Sequence, residues 1–321
     1  MNKYKKIGLT ALAGSLVATS AFAGELGVSG SASINMEHTN GGAANKGKTF
    51  SMGNSVVFSG SGELDNGMTV SLSFELDQGD DSTTAGAAYS GGPFDGHSVT
   101  VSSDSLGTLK FSGEGGKSST AAIDTSAAGD LWDNYDDEEG NEPKETGTSD
   151  NMFMYTLPSL VDGISANVSY EPSGTNTFTA IQYGITYSGI DGLSISYASG
   201  DDSNSSSDPS TGNVIKGSYA YGPVTFAYSD FSYDTTGTSS DVDMKGVKLS
   251  YTVSDELSIS YANEEIEKGA EETAEYDEVA VDYTTGGMTI SASMGEAKNI
   301  DGTTTATEDR ERWYLGASFA F

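Results

Sequence analysis

Apolar residues in this chain rarely stand side by side; they recur at every second position in short runs. A period of two places alternate side chains on opposite faces of a strand, so each run describes a strand with one apolar and one polar face. Leu26, Val28, Gly30, Ala32 and Ile34 alternate with Gly27, Ser29, Ser31 and Ser33. Val56, Phe58, Gly60, Gly62 and Leu64 share a face, Asp65-Asn66-Gly67 signals a tight turn, and Met68, Val70, Leu72, Phe74 and Leu76 resume the pattern. The same unit of strand, turn and strand recurs around Asp104–Gly107, Pro158–Gly163, Ser188–Gly192, Gly222-Pro223, Ser254-Asp255 and Gly286-Gly287. Trp313, Leu315, Ala317, Phe319 and Phe321 end the chain on one face.

One opening strand, seven hairpins and one closing strand make sixteen. Short turns lie within hairpins and longer polar loops between them, the asymmetry of outer-membrane barrels. Tyr155, Tyr187, Tyr221, Tyr251 and Tyr283 fall at the short-turn end of their strands; Tyr170, Tyr197, Tyr228 and Tyr261 fall towards the other end. Two such rows suit rings that prefer a membrane–water interface. In hydrocarbon every backbone N–H and C=O must be paired within the protein, so strands span only as a closed barrel. Sixteen strands leave an aqueous lumen. The inward positions, mainly Ser, Thr, Asn, Gly and Ala, are expected to line water rather than a packed core. The expectation is an all-β, 16-stranded antiparallel transmembrane barrel.

The first residues read as a leader. Lys3, Lys5 and Lys6 precede the apolar run Ile7 to Val17, and Ala21-Phe22-Ala23 is a small-residue cleavage site. Residues 1–23 are expected to be a cleaved signal peptide, because the apolar run is too short to span, with the barrel over 24–321. The full chain carries a formal net charge of −32 and no Cys. Export without Cys excludes a disulfide scaffold. No basic patch offers phosphates a partner, so nucleic acid is excluded as well.

The alternation stops from Gly113 to Asp150. Eleven residues there are acidic: Glu114, Asp124, Asp130, Asp133, Asp136, Asp137, Glu138, Glu139, Glu142, Glu145 and Asp150, opposed only by Lys117 and Lys144. So long a segment is functional or disordered, and Ile123, Leu131, Trp132 and Tyr135 give it apolar groups with which to pin itself. Rings of carboxylates favour cations in pores, which makes this segment the candidate selectivity element. Lysines and arginines of lumen parity are Lys110, Lys216, Lys248, Arg310 and Arg312, readable as plain polar lining or as a sparse positive wall.

The Leu106-Gly107-Thr108-Leu109 turn, the Tyr155-Thr156-Leu157-Pro158 segment, the leader and terminal Phe321 resemble those of the Gram-negative general porins, specifically their alphaproteobacterial branch. The resemblance covers the whole chain. It implies a homotrimer in the outer membrane whose third loop, here 113–150, folds inward and narrows the pore. It also implies that the closing strand, with Trp313, Leu315, Phe319 and Phe321, is the insertion signal read by the outer-membrane assembly machinery. Such porins usually set a cluster of Arg opposite an acidic third loop; after the leader this chain holds only Arg310 and Arg312.

The expected function is diffusion of small hydrophilic solutes and ions, with a preference for cations. The alternatives are a solute-selective porin and a non-conducting adhesin or structural barrel. Only His38 and His97 offer an imidazole base; both read as loop residues outside any nucleophile motif, so no enzyme is expected. No cofactor is expected. Asp133, Asp136, Asp137 and Glu139 form a candidate weak Ca²⁺ site, since clustered oxygens suit that ion, although a solvated charge run is the plainer reading. The outward face of the first two strands carries Gly30, Ala32, Gly60 and Gly62 and no Tyr, and the last two add Ala292 and Ala317. Small residues let backbones approach closely in membranes, which places the subunit contact there.

Overall fold

The computed structural model describes residues 26–41, 49–77, 94–135, 150–172, 179–201, 211–234, 241–300, 302 and 309–321. Residues 1–23, the expected leader, lie outside the described residues. Sixteen strands form one closed barrel in which each pairs with its sequence neighbours. They are β1 (Gly27–Gly41), β2 (Thr49–Glu63), β3 (Thr69–Asp77), β4 (Phe94–Ser103), β5 (Gly107–Glu114), β6 (Met152–Thr156), β7 (Ile164–Glu171) and β8 (Ala180–Tyr187). β9 (Leu193–Asp201), β10 (Thr211–Tyr221), β11 (Val224–Asp234), β12 (Val242–Thr252), β13 (Leu257–Lys268), β14 (Ala274–Thr285), β15 (Met288–Lys298) and β16 (Arg310–Ala320) follow. Every pairing is antiparallel.

The seam joins β1 to β16. Ala32 faces Phe319 and Ile34 faces Ala317, and the Gly30 and Phe321 backbones exchange both hydrogen bonds, at 2.9 and 3.0 Å. No edge is left, which resolves the backbone problem of hydrocarbon.

Turn chemistry fixes the register. At Asp65-Asn66-Gly67 the Leu64 amide donates to Met68 O at 2.8 Å, and Gly67 takes a φ of +80°. Gly107 sits at +81° where a Cβ would stand 2.3 Å from Thr156 O, so no other residue fits this turn without moving the neighbouring strand.

The predicted parity holds around the wall. Leu72, Val99, Leu109, Ile185, Ile195, Phe226, Leu249, Ile259, Val281 and Leu315 are exposed on the outer face, where they meet lipid. Upper-row tyrosines show why they sit at an interface. Tyr228 donates to Asp230 at 2.9 Å, Tyr261 to Asp277 and Tyr197 to Asn213 at 3.2 Å. Each ring stays in the apolar band while its hydroxyl reaches the first polar position above. At the other end Tyr155 donates to Leu106 O at 2.6 Å.

Two expectations need correction. His38 and His97 lie in β1 and β4, not in loops, because those strands run past the alternating segment that marks them in the sequence. The inner wall is also not uniformly polar. Val214, Phe231, Tyr233, Val242, Met244, Ala262, Ile266, Ala274, Tyr276 and Ala297 form a buried apolar patch inside the barrel on β10 to β15. They can point inward because protein covers them.

The seam suggests a stability test. The Phe321 side chain is 75% exposed, and the closure bonds belong to the backbone. A fully buried Phe is worth ~1.5–3 kcal/mol, so Phe321→Ala should cost on the order of 0.5 kcal/mol in urea unfolding from detergent micelles. A barrel unable to fold in detergent would show that the seam depends on this ring.

Candidate functional site: the inner wall and the acidic segment

The segment after β5 packs on the inner face of the wall through a series of hydrogen bonds. Ser119 N donates to Ser169 Oγ of β7 at 3.0 Å, and Thr120 Oγ1 to Gln182 Oε1 of β8 at 2.6 Å. Lys216 Nζ of β10 donates to Thr125 O at 2.6 Å, and Ala127 N to Ser229 Oγ of β11 at 2.7 Å. Ser126 Oγ donates to Glu264 Oε2 of β13, and Trp132 N to Glu264 Oε1 at 3.0 Å.

A short 3-10 turn, Leu131–Tyr135, then lays Leu131 and Tyr135 on the apolar patch beside Ala128, with Ile123 and Trp132 at its margin. The Tyr135 and Tyr276 ring centroids are 5.8 Å apart.

Glycines make room for this segment. At Gly246 of β12 a Cβ would lie 3.0 Å from Ser126 Cβ and 3.1 Å from Ala127 N. At Gly295 of β15 it would lie 2.6 Å from Tyr135 Oη. Buried Glu264, Gly246 and Gly295 were not singled out in the sequence. Their only signal is lumen parity: a carboxylate or a missing side chain where Ser or Thr is the rule.

The candidate acidic residues divide into groups. Glu114 ends β5, half exposed, with His97 Nδ1 at 3.9 Å. Asp124 is partly buried and Asp133 is exposed. Asp130 accepts the Ser126 amide at 2.7 Å. Burial pushes its carboxyl above the ordinary range, against the Ser126 amide and the Lys216 charge that hold it down. Burial likewise pushes the Tyr135 hydroxyl up. Asp136, Asp137, Glu138, Glu139 and Glu142 lie outside the described residues. Of the candidate calcium ligands, therefore, only Asp133 is described.

Of the cations of the wall, Lys216 and Arg312 have their partners in view. Arg312 donates twice to Glu37 Oε2, at 2.7 and 3.1 Å, lies 3.9 Å from Glu278 and stacks over Tyr314 at 5.1 Å. Its side chain is 8% exposed. Arg310 is buried, whereas Lys110 and Lys248 are partly exposed. Arg312 is thus flanked by two carboxylates of the wall itself.

A family model described as Gram-negative porin matches residues 8–277. The chain belongs to the Gram-negative porin family. Solved structures agree on the fold. An anion-selective porin from Comamonas acidovorans matches with a TM-score of 0.68 at 14% identity, covering 92% of this chain and 99% of that one. Two engineered variants of the Rh. blastica porin match at 0.67, with 14% and 15% identity, over 92% of this chain and 100% of theirs. No curated protein sequence matches the chain significantly. This porin is therefore an outer-membrane channel rather than an enzyme, with strands that cross the membrane.

Arg312 offers a test of the wall. Exposed ion pairs contribute ~0–1 kcal/mol, and breaking a buried pair costs ~3–5 kcal/mol. This cluster is intermediate, so Arg312→Ala should destabilise by about 2 kcal/mol. It should also shift the reversal potential in a salt gradient towards cations, since Glu37 and Glu278 lose their partner. An unchanged potential would mean that these carboxylates do not face the ion path.

Proposed function

We propose that this porin is a cation-preferring diffusion channel for small hydrophilic solutes, with the segment 113–150 as its constriction. The observation carrying this reading is the docking of residues 118–135 on the inner wall, with Tyr135, the last described residue before the acidic run, buried against it. Two cations of the wall already have carboxylates beside them. Arg312 is balanced by Glu37 and Glu278, and Lys216 binds Thr125 O beside Asp130. The anion-selective Comamonas protein has the same fold, so the sign of selectivity rests on side chains, not on the barrel.

The reversal potential in a KCl gradient tests the sign. The wild-type channel should prefer potassium. Neutralising Asp136, Asp137, Glu138 and Glu139 together to Asn and Gln should move the potential towards zero and change the conductance. Screening acts over about 8 Å at physiological salt, so a preference that fades quickly as salt rises would put those carboxylates outside the narrow path. A wild-type preference for chloride would overturn the reading. A channel blocked by one solute would favour a solute-selective porin; no conductance in a planar bilayer would favour an adhesin.

We also propose a homotrimer whose contact includes Gly30, Ala32, Gly60 and Gly62. Gly60 has open space beyond its Cα, as a surface awaiting a neighbour would. Native gels or cross-linking in mild detergent should give trimers, and monomer alone would refute this. Trp313, Leu315, Phe319 and Phe321 are proposed as the signal for the assembly machinery. Deleting Phe321 should lower the outer-membrane yield in cells while refolding in detergent stays nearly normal; equal yields would remove that role.

A further inference from the structure

The Glu264 carboxylate is fully buried, and among the described residues no cation lies within ion-pair reach of it. A buried charge is costly unless hydrogen bonds replace its water. Here the replacements come from the acidic segment: the Ser126 hydroxyl on one oxygen and the Trp132 amide on the other. The same Ser126 hydroxyl accepts from the amides of Gly129 at 3.0 Å and Asp130 at 3.1 Å. One carboxylate of the wall thereby orders the chain from Ser126 to Trp132. Gly246 on the adjacent strand lets that chain approach.

We propose that Glu264 is the positioning residue of the constriction: it latches the segment to the wall, and the latch keeps the channel at one conductance level. The inference rests on the reading of this porin as a channel narrowed by that segment, and adds the group that holds the segment in place. Two states follow from the chemistry. When docked, the carboxylate is dry and bound by donors of the segment. When undocked, it is hydrated by lumen water, which is nearly as good a partner. The docked state is favoured by the match of two donors of the segment to the two oxygens of one side chain, beside the apolar patch that buries Leu131 and Tyr135. Replacing one of those oxygens by a donor breaks the match.

Glu264→Gln keeps the size of the side chain and removes its charge. It also turns an amide N–H₂ towards one of the donors of the segment. The folded barrel should be retained, because no strand pairing depends on this side chain. Single-channel recordings should change from a steady level to fluctuation among several levels, with a severalfold rise in current noise. Ser126→Ala removes one donor without touching the wall and should move the traces the same way, but less.

A covalent tether separates a latch from general loosening. The chain has no Cys, so a disulfide between Ser126→Cys and Gly246→Cys would be its only one. The two Cβ positions lie 3.0 Å apart, about 0.5 Å under the shortest span a disulfide takes, so the bond closes once the segment backs away from the wall by that amount. Introduced into the Glu264→Gln protein, the oxidised tether should restore the steady level, and reduction should bring the fluctuation back. The proposal is overturned if Glu264→Gln gives wild-type traces, if fluctuation persists with the disulfide formed, or if the cysteines fail to pair in the folded barrel. Selectivity is read separately from the reversal potential. A quiet chloride-preferring wild type with a noisy Glu264→Gln variant would reject the cation reading and leave the latch standing.

Discussion

A peptide group in hydrocarbon has no solvent to bond to, and the rest of this structure depends on that constraint. Each strand must satisfy its N–H and C=O on two neighbours, so the sheet must close. Closure separates an outer face that meets lipid from an inner face that does not, and the period of two sorts side chains between them. Leu249 and Lys248 illustrate the sorting: adjacent in sequence, one is exposed on the lipid face and the other lies on the inner wall. The tyrosine rows mark where lipid ends, because an amphipathic ring fits only that boundary.

Inside the barrel the same sorting is put to a second use. On β10 to β15 many of the upper inward positions are apolar or aromatic rather than Ser or Thr, and they are buried with Ala128, Leu131 and Tyr135. This is the packed core that a water-filled barrel otherwise lacks. It gives the acidic segment a hydrophobic footing, while Glu264, Ser229, Gln182 and Ser169 give it direction through hydrogen bonds. Non-directional burial and directional bonding thus divide the work of holding a strongly charged chain near a wall.

The barrel was legible in the sequence because its cause is local. Alternation, turn residues such as Asn66-Gly67 and Gly107, and the tyrosine positions are each read within one hairpin. The seat of the acidic segment was not legible, because its cause is non-local. Ser126 meets Glu264 across 138 positions; parity turns Glu264 inward and its neighbour Glu265 outward, but nothing near Glu264 says what it meets. Apolar inward residues such as Val214 and Ile266 were equally ambiguous, since only the covering segment explains them. Ile123, Leu131, Trp132 and Tyr135 did announce that the segment pins itself, but not to what.

The seam between β1 and β16 has a consequence in time rather than in space. Gly30 and Phe321 stand near opposite ends of the chain and share a reciprocal pair of backbone hydrogen bonds. The first strand to emerge therefore waits for the last, and until then both carry unpaired edges able to add foreign strands. Closure across nearly the whole chain length is slow, because so large a loop must be ordered before the contact rewards it. The interval before closure is the vulnerable period in the life of this protein, and it ends only when the final strand arrives.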